Sequence, residues 1–342
     1  NDTCGYIYVA TGSRIICYDC NLNEIWKRNT RGTVGPLGLA DFNQDGDPEL
    51  YFNNEIRDPL NGDVIIGGTG NWLTEINKGP VAVDIDPSSP GLELVSGLSI
   101  WAIDIVNKQK TLISERTEYH VKRSFGDQNH TFTAVADYNI DGHLDVLATG
   151  AENSNTGPAA VFYWDVHNNA LTIFNPPNNW EQGTGQINLA NIDDVPGLNC
   201  TFATGTRIYA LDENFQLKWE IPIEEGTSGN TGTTVFDFNG DGKSEIVYRD
   251  EQELMIIQDG FDGGGNPVGI VRRRFPCRSR TGREYPVVAD VNGDGETEIC
   301  VTCQYYDEPD INPRNTGHIR TFASDGEKWI PARKMWNQHA YF

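Results

Sequence analysis

The chain has 342 residues and carries 26 Lys and Arg against 49 Asp and Glu, a formal net charge of −23 at pH 7. That surplus of negative charge excludes a general nucleic-acid binder or a protein held electrostatically on anionic lipid. No run approaches the ~18 apolar residues of a helical membrane span, and no signal-peptide pattern opens at Asn1. Either the numbering starts at a mature end or the chain belongs to something longer, and part of a longer secreted protein is the expectation.

In chain order, the first elements are three strand-sized segments, Tyr6 to Thr11, Arg14 to Tyr18 and Glu24 to Lys27. An acidic loop follows, Asp41-Phe42-Asn43-Gln44-Asp45-Gly46-Asp47-Pro48-Glu49. It returns as Asp137-Tyr138-Asn139-Ile140-Asp141-Gly142-His143-Leu144-Asp145, as Asp237-Phe238-Asn239-Gly240-Asp241-Gly242-Lys243-Ser244-Glu245, and as Asp290-Val291-Asn292-Gly293-Asp294-Gly295-Glu296-Thr297-Glu298. Oxygen donors at positions 1, 3, 5 and 9, with Gly at position 6 for a sharp turn, are what a hard cation such as Ca²⁺ requires of a short loop. Position 7 would lend its backbone carbonyl, so its side chain is free to vary among Asp47, His143, Lys243 and Glu296. Asp, Asn and Gly also make ordinary turns, but four copies in one phase, each between two short apolar runs, point to a metal loop joining two strands. An EF-hand is excluded, because flanking helices and a bidentate Glu at position 12 are missing. Four bound Ca²⁺ would leave the chain at about −15, still acidic.

Two further units carry altered loops. Asp84 to Glu93 has an extra residue, and Asn191 to Asn199 lacks the acid at position 5; both are expected to bind no metal or to bind it weakly. Unit starts near Gly35, Gly79, Thr131, Gly185, Thr231 and Tyr285 give a spacing in the range of propeller blades. After each loop come three more strand-sized segments, and the N-terminal stretch fits the template from its second strand onward. The expectation is an all-β, seven-bladed β-propeller of four-stranded antiparallel blades forming one domain over 1–342. Its blades cover about 1–34 plus 336–342, 35–78, 79–130, 131–184, 185–230, 231–284 and 285–335. The apolar tail Trp336 to Phe342 is expected beside Tyr6 to Thr11, closing the ring and covering a sheet edge. Trp26, Trp101, Trp164, Trp219 and Trp329, in the outer strands, are expected to pack between neighbouring blades.

Seven cysteines include two Cys-x-x-Cys pairs. Zinc is one reading; one or more disulfides among Cys4, Cys17, Cys20, Cys277, Cys300 and Cys303 in an oxidising compartment is the favoured one, with Cys200 a buried free thiol. On the side away from the acidic loops the template gathers Arg28, Arg31, Tyr119, His120, Lys122, Arg123, Trp180, Arg278, Arg280, Arg283, and the insertion Tyr305 to Gly317 with Tyr306 and Arg314. This is either solvated loop charge or a binding face for an acidic glycan or protein. No nucleophile, metalloprotease or phosphate-loop motif is present, and no catalytic residue is assigned.

The four loops closely resemble those of FG-GAP and VCBS repeats, the calcium-binding blades of integrin-α-type propellers. The resemblance implies calcium ligands Asp41, Asn43, Asp45 and Glu49; Asp137, Asn139, Asp141 and Asp145; Asp237, Asn239, Asp241 and Glu245; and Asp290, Asn292, Asp294 and Glu298. Arg207 to Asp212 followed by Trp219 is similar to a quinoprotein-type blade, and the tail Trp329 to Phe342 is similar to segments that follow such propellers in large secreted surface proteins of gliding, Bacteroidetes-type bacteria. These likenesses imply a cell-surface or secreted adhesion module whose partner is a protein or glycan on the cell surface or in the extracellular matrix, alongside other domains of the same chain. A secreted polysaccharide-active enzyme of lyase type on a calcium-bearing propeller is the alternative.

Overall fold

A computed structural model of the protein describes residues 5–30, 34–53, 55–67, 78–120, 122–124, 128–152, 158–177, 184–225, 231–279, 285–304 and 317–333. Seven antiparallel sheets follow one another along the chain. The first holds β1 (Ile7–Thr11), β2 (Arg14–Tyr18) and β3 (Glu24–Asn29); the second β4 (Gly38–Ala40), β5 (Glu49–Phe52), β6 (Glu55–Arg57) and β7 (Val64–Ile66). A short β8 (Lys78–Gly79) precedes the third sheet, β9 (Val81–Val83), β10 (Glu93–Val95), β11 (Ser99–Asp104) and β12 (Gln109–Glu115). The fourth is enlarged: β13 (Tyr119–His120) and β14 (Lys122–Ser124) flank its four main strands, β15 (Gln128–Ala136), β16 (Asp145–Glu152), β17 (Ala159–Asp165) and β18 (Ala170–Phe174), and β8 pairs parallel with β15. The fifth is β19 (Asn188–Ala190), β20 (Asn199–Thr204), β21 (Arg207–Leu211) and β22 (Leu217–Pro222). The sixth is β23 (Thr234–Phe236), β24 (Glu245–Arg249), β25 (Glu253–Phe261) and β26 (Pro267–Pro276), and the seventh β27 (Val287–Ala289), β28 (Glu298–Gln304) and β29 (Gly317–Phe322).

Hydropathy sets each strand's rank. Second strands such as β20 and β24 are buried along their whole length, because neighbouring sheets cover both faces, polar residues such as Thr201 and Arg249 included. Outer strands such as β12 are largely exposed and polar. The innermost strands β4, β9, β15, β19, β23 and β27 stand beside one another in that order. Between sheets lie the cores: Ile15, Trp26, Leu50 and Phe52 join the first to the second, and Phe42, Tyr51, Ile56 and Leu94 the second to the third. Val95, Ile100, Phe162 and Trp164 join the third to the fourth, and Tyr138, Leu147, Leu189 and Phe202 the fourth to the fifth. Ile208, Trp219, Ile246 and Ile257 join the fifth to the sixth, and Phe238, Val247, Val288 and Ile299 the sixth to the seventh. This is an all-β, seven-bladed propeller, as the repeat spacing predicts. All five repeated tryptophans belong to or abut these inter-blade cores.

The first sheet has three strands, matching the second to fourth of the template. The tail residues assigned to its empty inner position, 336–342, lie outside the described residues. In the seventh blade the expectation for Trp329 needs correcting. It stands in no strand of that sheet; residues 328–333 cross the acidic loops of the sixth and seventh blades instead. Trp329 packs 4.6 Å from Phe238, the Ile330 N–H donates to the Phe238 carbonyl at 3.1 Å, and the Asp290 N–H donates to the Arg333 carbonyl at 3.1 Å. Pro331 has no N–H to give to a sheet ladder, which disfavours a paired strand here.

Cys277 and Cys303 form a disulfide that staples the end of the sixth sheet to β28, and Cys20 is held in a disulfide as well. Cys17, Cys200 and Cys300 are free, Cys200 fully buried, so neither Cys-x-x-Cys pair is a zinc knuckle.

Candidate functional site

Each acidic loop joins the first strand of a blade to the second, and all four are built on one hydrogen-bonded frame. The position 2 N–H donates to the last carboxylate: Phe42 to Glu49, Tyr138 to Asp145, Phe238 to Glu245 and Val291 to Glu298, each at 3.0 Å. The glycine N–H at position 6 donates to the first aspartate, Gly46 to Asp41, Gly142 to Asp137, Gly242 to Asp237 and Gly295 to Asp290, at 2.8 to 3.0 Å. These glycines have φ of +86° to +99°, the left-handed region in which a Cβ is strained. The position 7 N–H donates to the carboxylate at position 5, from Asp47, His143, Lys243 and Glu296 to Asp45, Asp141, Asp241 and Asp294, at 2.8 or 2.9 Å.

The position 7 side chains, as their variety predicts, turn to other work. His143 stacks on His167 with ring centroids 3.8 Å apart, Lys243 reaches Asp194 of the neighbouring blade at 3.2 Å, and Glu296 pairs with Lys328.

Inside the frame, the Asn43, Asn139, Asn239 and Asn292 amide nitrogens donate to the carboxylates of Asp45, Asp141, Asp241 and Asp294 at 2.8 to 3.2 Å. Amide and backbone N–H groups thus stand between the acids, and among the described residues no three His, Cys, Asp or Glu side chains converge on one point. The charge is nevertheless uncompensated. Burial, with the Asp165 and Asp141 charges adding to it, pushes the Asp145 carboxyl up to about 6 despite hydrogen bonds from Tyr138 and Asn139. Burial and neighbouring aspartates likewise raise Glu49 and Glu245. Two buried oxygens within these loops, Asn43 Oδ1 and Asp145 Oδ1, accept no hydrogen bond. An all-oxygen donor set with buried spare lone pairs and excess negative charge fits a hard cation and suits neither Zn²⁺ nor a softer metal.

The fifth blade solves the same problem internally. Asn199 replaces the last acid, its Oδ1 accepting from the Ile192 N–H at 3.0 Å and its Nδ2 donating to Asp193 at 3.2 Å. Lys218, from β22, places its ammonium 2.8 Å from Asp193 and 3.7 Å from Asp259 of the next blade. Adjoining loops are also tied by backbone bonds: Leu92 N–H to the Phe42 carbonyl at 2.9 Å, and Ser244 N–H to the Asn191 carbonyl at 2.8 Å.

A second ring of aspartates on this face was not singled out in the sequence. Asp19, Asp58, Asp104, Asp165, Asp212 and Asp262 open the turns between third and fourth strands, each accepting a backbone N–H at 2.8 to 3.0 Å. An Asn two to four residues on was the available signal. A cavity of about 470 Å³ lies on the same side between the first two blades, lined by Tyr6, Tyr8, Leu39, Pro48, Asp58 and Leu60 among others.

The opposite side is described only in part. Tyr119, His120, Lys122 and Arg123, expected in a loop, have their backbones in β13 and β14, and β13 pairs with Glu152 and Ala151 at the end of β16 away from the acidic loop. Arg278 is exposed just beyond β26, on that same side. Arg28 departs from expectation: it lies within β3 and pairs with Asp63 of the second blade at 3.4 Å. Arg31, Trp180, Arg280, Arg283, Tyr306 and Arg314 are outside the described residues. β26 adds three exposed arginines that the sequence reading passed over, Arg272, Arg273 and Arg274.

No known family and no curated protein matches the sequence. Solved structures do match in fold. The V. cholerae biofilm matrix protein Bap1 is 13% identical with a TM-score of 0.63, over 99% of this chain and 78% of that one. BBS1N, in its complex with ARL6DN, is 10% identical with a TM-score of 0.52 over 98% and 90%. Saccharomyces cerevisiae Sqt1 is 11% identical with a TM-score of 0.51 over 86% and 78%. At such identities the likeness establishes the propeller fold alone.

Proposed function

We propose that the protein is a calcium-stabilised extracellular interaction module, which binds a protein or glycan through the face opposite its acidic loops. The observation that carries the calcium part is the shared loop frame, which fixes three carboxylates per loop and leaves the Asp145 Oδ1 buried without a donor. Asp41, Asn43, Asp45 and Glu49, and their counterparts in the other three loops, would supply side-chain oxygens, with position 7 giving its carbonyl. Calcium would neutralise charge that the chain itself leaves unbalanced, and would stiffen each first hairpin. The Cys277–Cys303 disulfide supports an oxidising, extracellular setting, and a shared fold with a biofilm matrix protein is compatible with it.

Replacing Asp241 by Ala tests the calcium reading. At calcium a hundredfold above the dissociation constant, each lost site removes about 2.7 kcal/mol of stabilisation. Calorimetry is expected to show that loss in calcium and little of it in chelator; equal losses in both would refute it. The ligand face is tested with glycan and protein arrays in calcium and in chelator, with Arg278→Ser expected to weaken capture of acidic ligands.

A further inference from the structure

We infer that the third blade carries a further hard-cation site, formed by Asp84, Asp86 and Glu93. The inference rests on the calcium reading of the four intact loops and extends it to one whose sequence breaks their spacing. Glu93 is wholly buried, at 0% exposure. Its Oε2 accepts the Ile85 and Asp86 N–H groups, both at 3.1 Å, the bond that position 2 makes to the last carboxylate in every intact loop. The extra residue is therefore absorbed elsewhere in the loop, leaving Glu93 in the position of Glu49 or Asp145. Gly91, at φ +87°, allows this by running its backbone against the second blade, where a Cβ would come within 2.1 Å of the Phe42 carbonyl oxygen.

The other oxygen, Glu93 Oε1, is buried and accepts no hydrogen bond. Asp145 Oδ1 of the fourth blade is left in the same condition. Among the described residues no Lys, Arg or His pairs with Asp84, Asp86 or Glu93. The fifth blade supplies the contrast, since there the last acid is the neutral Asn199 and Lys218 brings the positive charge. Lys110 is the second residue of β12 as Lys218 is of β22, but it lies over the Trp101 ring, 4.9 Å from its centroid. The third blade thus keeps the acids and has not acquired the internal ammonium. The side chains on offer are the carboxylates of Asp84, Asp86 and Glu93 and the hydroxyl of Ser88, which donates to Asp86 at 2.6 Å, and for such oxygen donors the fitting guest is Ca²⁺.

Native mass spectrometry of the full chain, stripped with chelator and reloaded with Ca²⁺, tests this. The wild type is expected to hold five ions, and Asp84→Asn and Glu93→Gln four each. Asp84 is exposed, so its variant should unfold in chelator at the wild-type temperature even if the Glu93 variant folds poorly. A wild type that holds four ions, or an Asp84→Asn variant that still holds five, overturns the inference while leaving the intact loops untouched. A wild type that holds none overturns the calcium reading with it.

Discussion

Ile140 occupies position 4 of the fourth blade's loop at φ +59°, a conformation that a β-branched residue adopts at a cost of roughly 1–2 kcal/mol. Gly240 and Gly293 fill the same position at φ +75° and +79°, and Ile140 is 62% exposed, so little packing opposes a change. Ile140→Gly is expected to raise stability by about 1 kcal/mol, since relief of strain exceeds the entropy that glycine adds to the unfolded chain. Thermal or urea unfolding checks it. Asp145 sets a pH dependence. Its carboxyl titrates near 6 in the folded protein, above its value in the unfolded chain, so in the absence of metal this group favours the fold at low pH. That contribution is lost as pH rises towards 6. On the proposed calcium reading the balance would reverse, because the ion would compete with that proton. Affinity at the fourth blade is expected to be steady above pH 6 and to fall about tenfold per unit below it, as calorimetric titrations at pH 5 and pH 7 would show.

At the scale of the element, the fifth blade's loop is held by a pair whose side chains are 11% and 5% exposed, Lys218 with Asp193. Burial raises the Asp193 pKa, but the Lys218 hydrogen bond and charge outweigh it and hold the carboxyl below its ordinary value. Lys218→Met would strand that carboxylate, and is expected to cost about 3 kcal/mol of folding stability by denaturant titration. This pairing was hidden in the sequence, since Lys218 stands on another strand and reads as an outer-strand charge. The shared loop frame was legible because its chemistry is local: acids, Asn and Gly within nine residues that repeat in phase. The tail misled for a physical reason. Lys328-Trp329-Ile330 copies the Lys218-Trp219 of β22, and only Pro331 distinguishes a segment that leaves the sheet from a strand that joins it. Tyr119 to Arg123 read as loop because two short strands carry no periodicity.

Across the whole molecule, each core is shared by two consecutive blades, so stability resides in interfaces rather than in single sheets. The crossing segment belongs to the last of these. Ala332 N–H donates to the Thr297 hydroxyl at 2.7 Å, and Trp329 caps Phe238. A chain ended at Ile330 loses the bonds of Ala332 and Arg333 together with any ring closure supplied by 336–342, and is expected to melt several degrees lower. Scanning calorimetry that found the same midpoint would refute that role. The backbone bonds between adjoining loops carry one more consequence. Where Leu92 holds the Phe42 carbonyl, ordering the second blade's loop removes freedom from the third before any ion reaches it. On the proposed calcium reading, the loops of the second and third blades are therefore expected to fill in a correlated sequence, with a Hill slope above one for that pair.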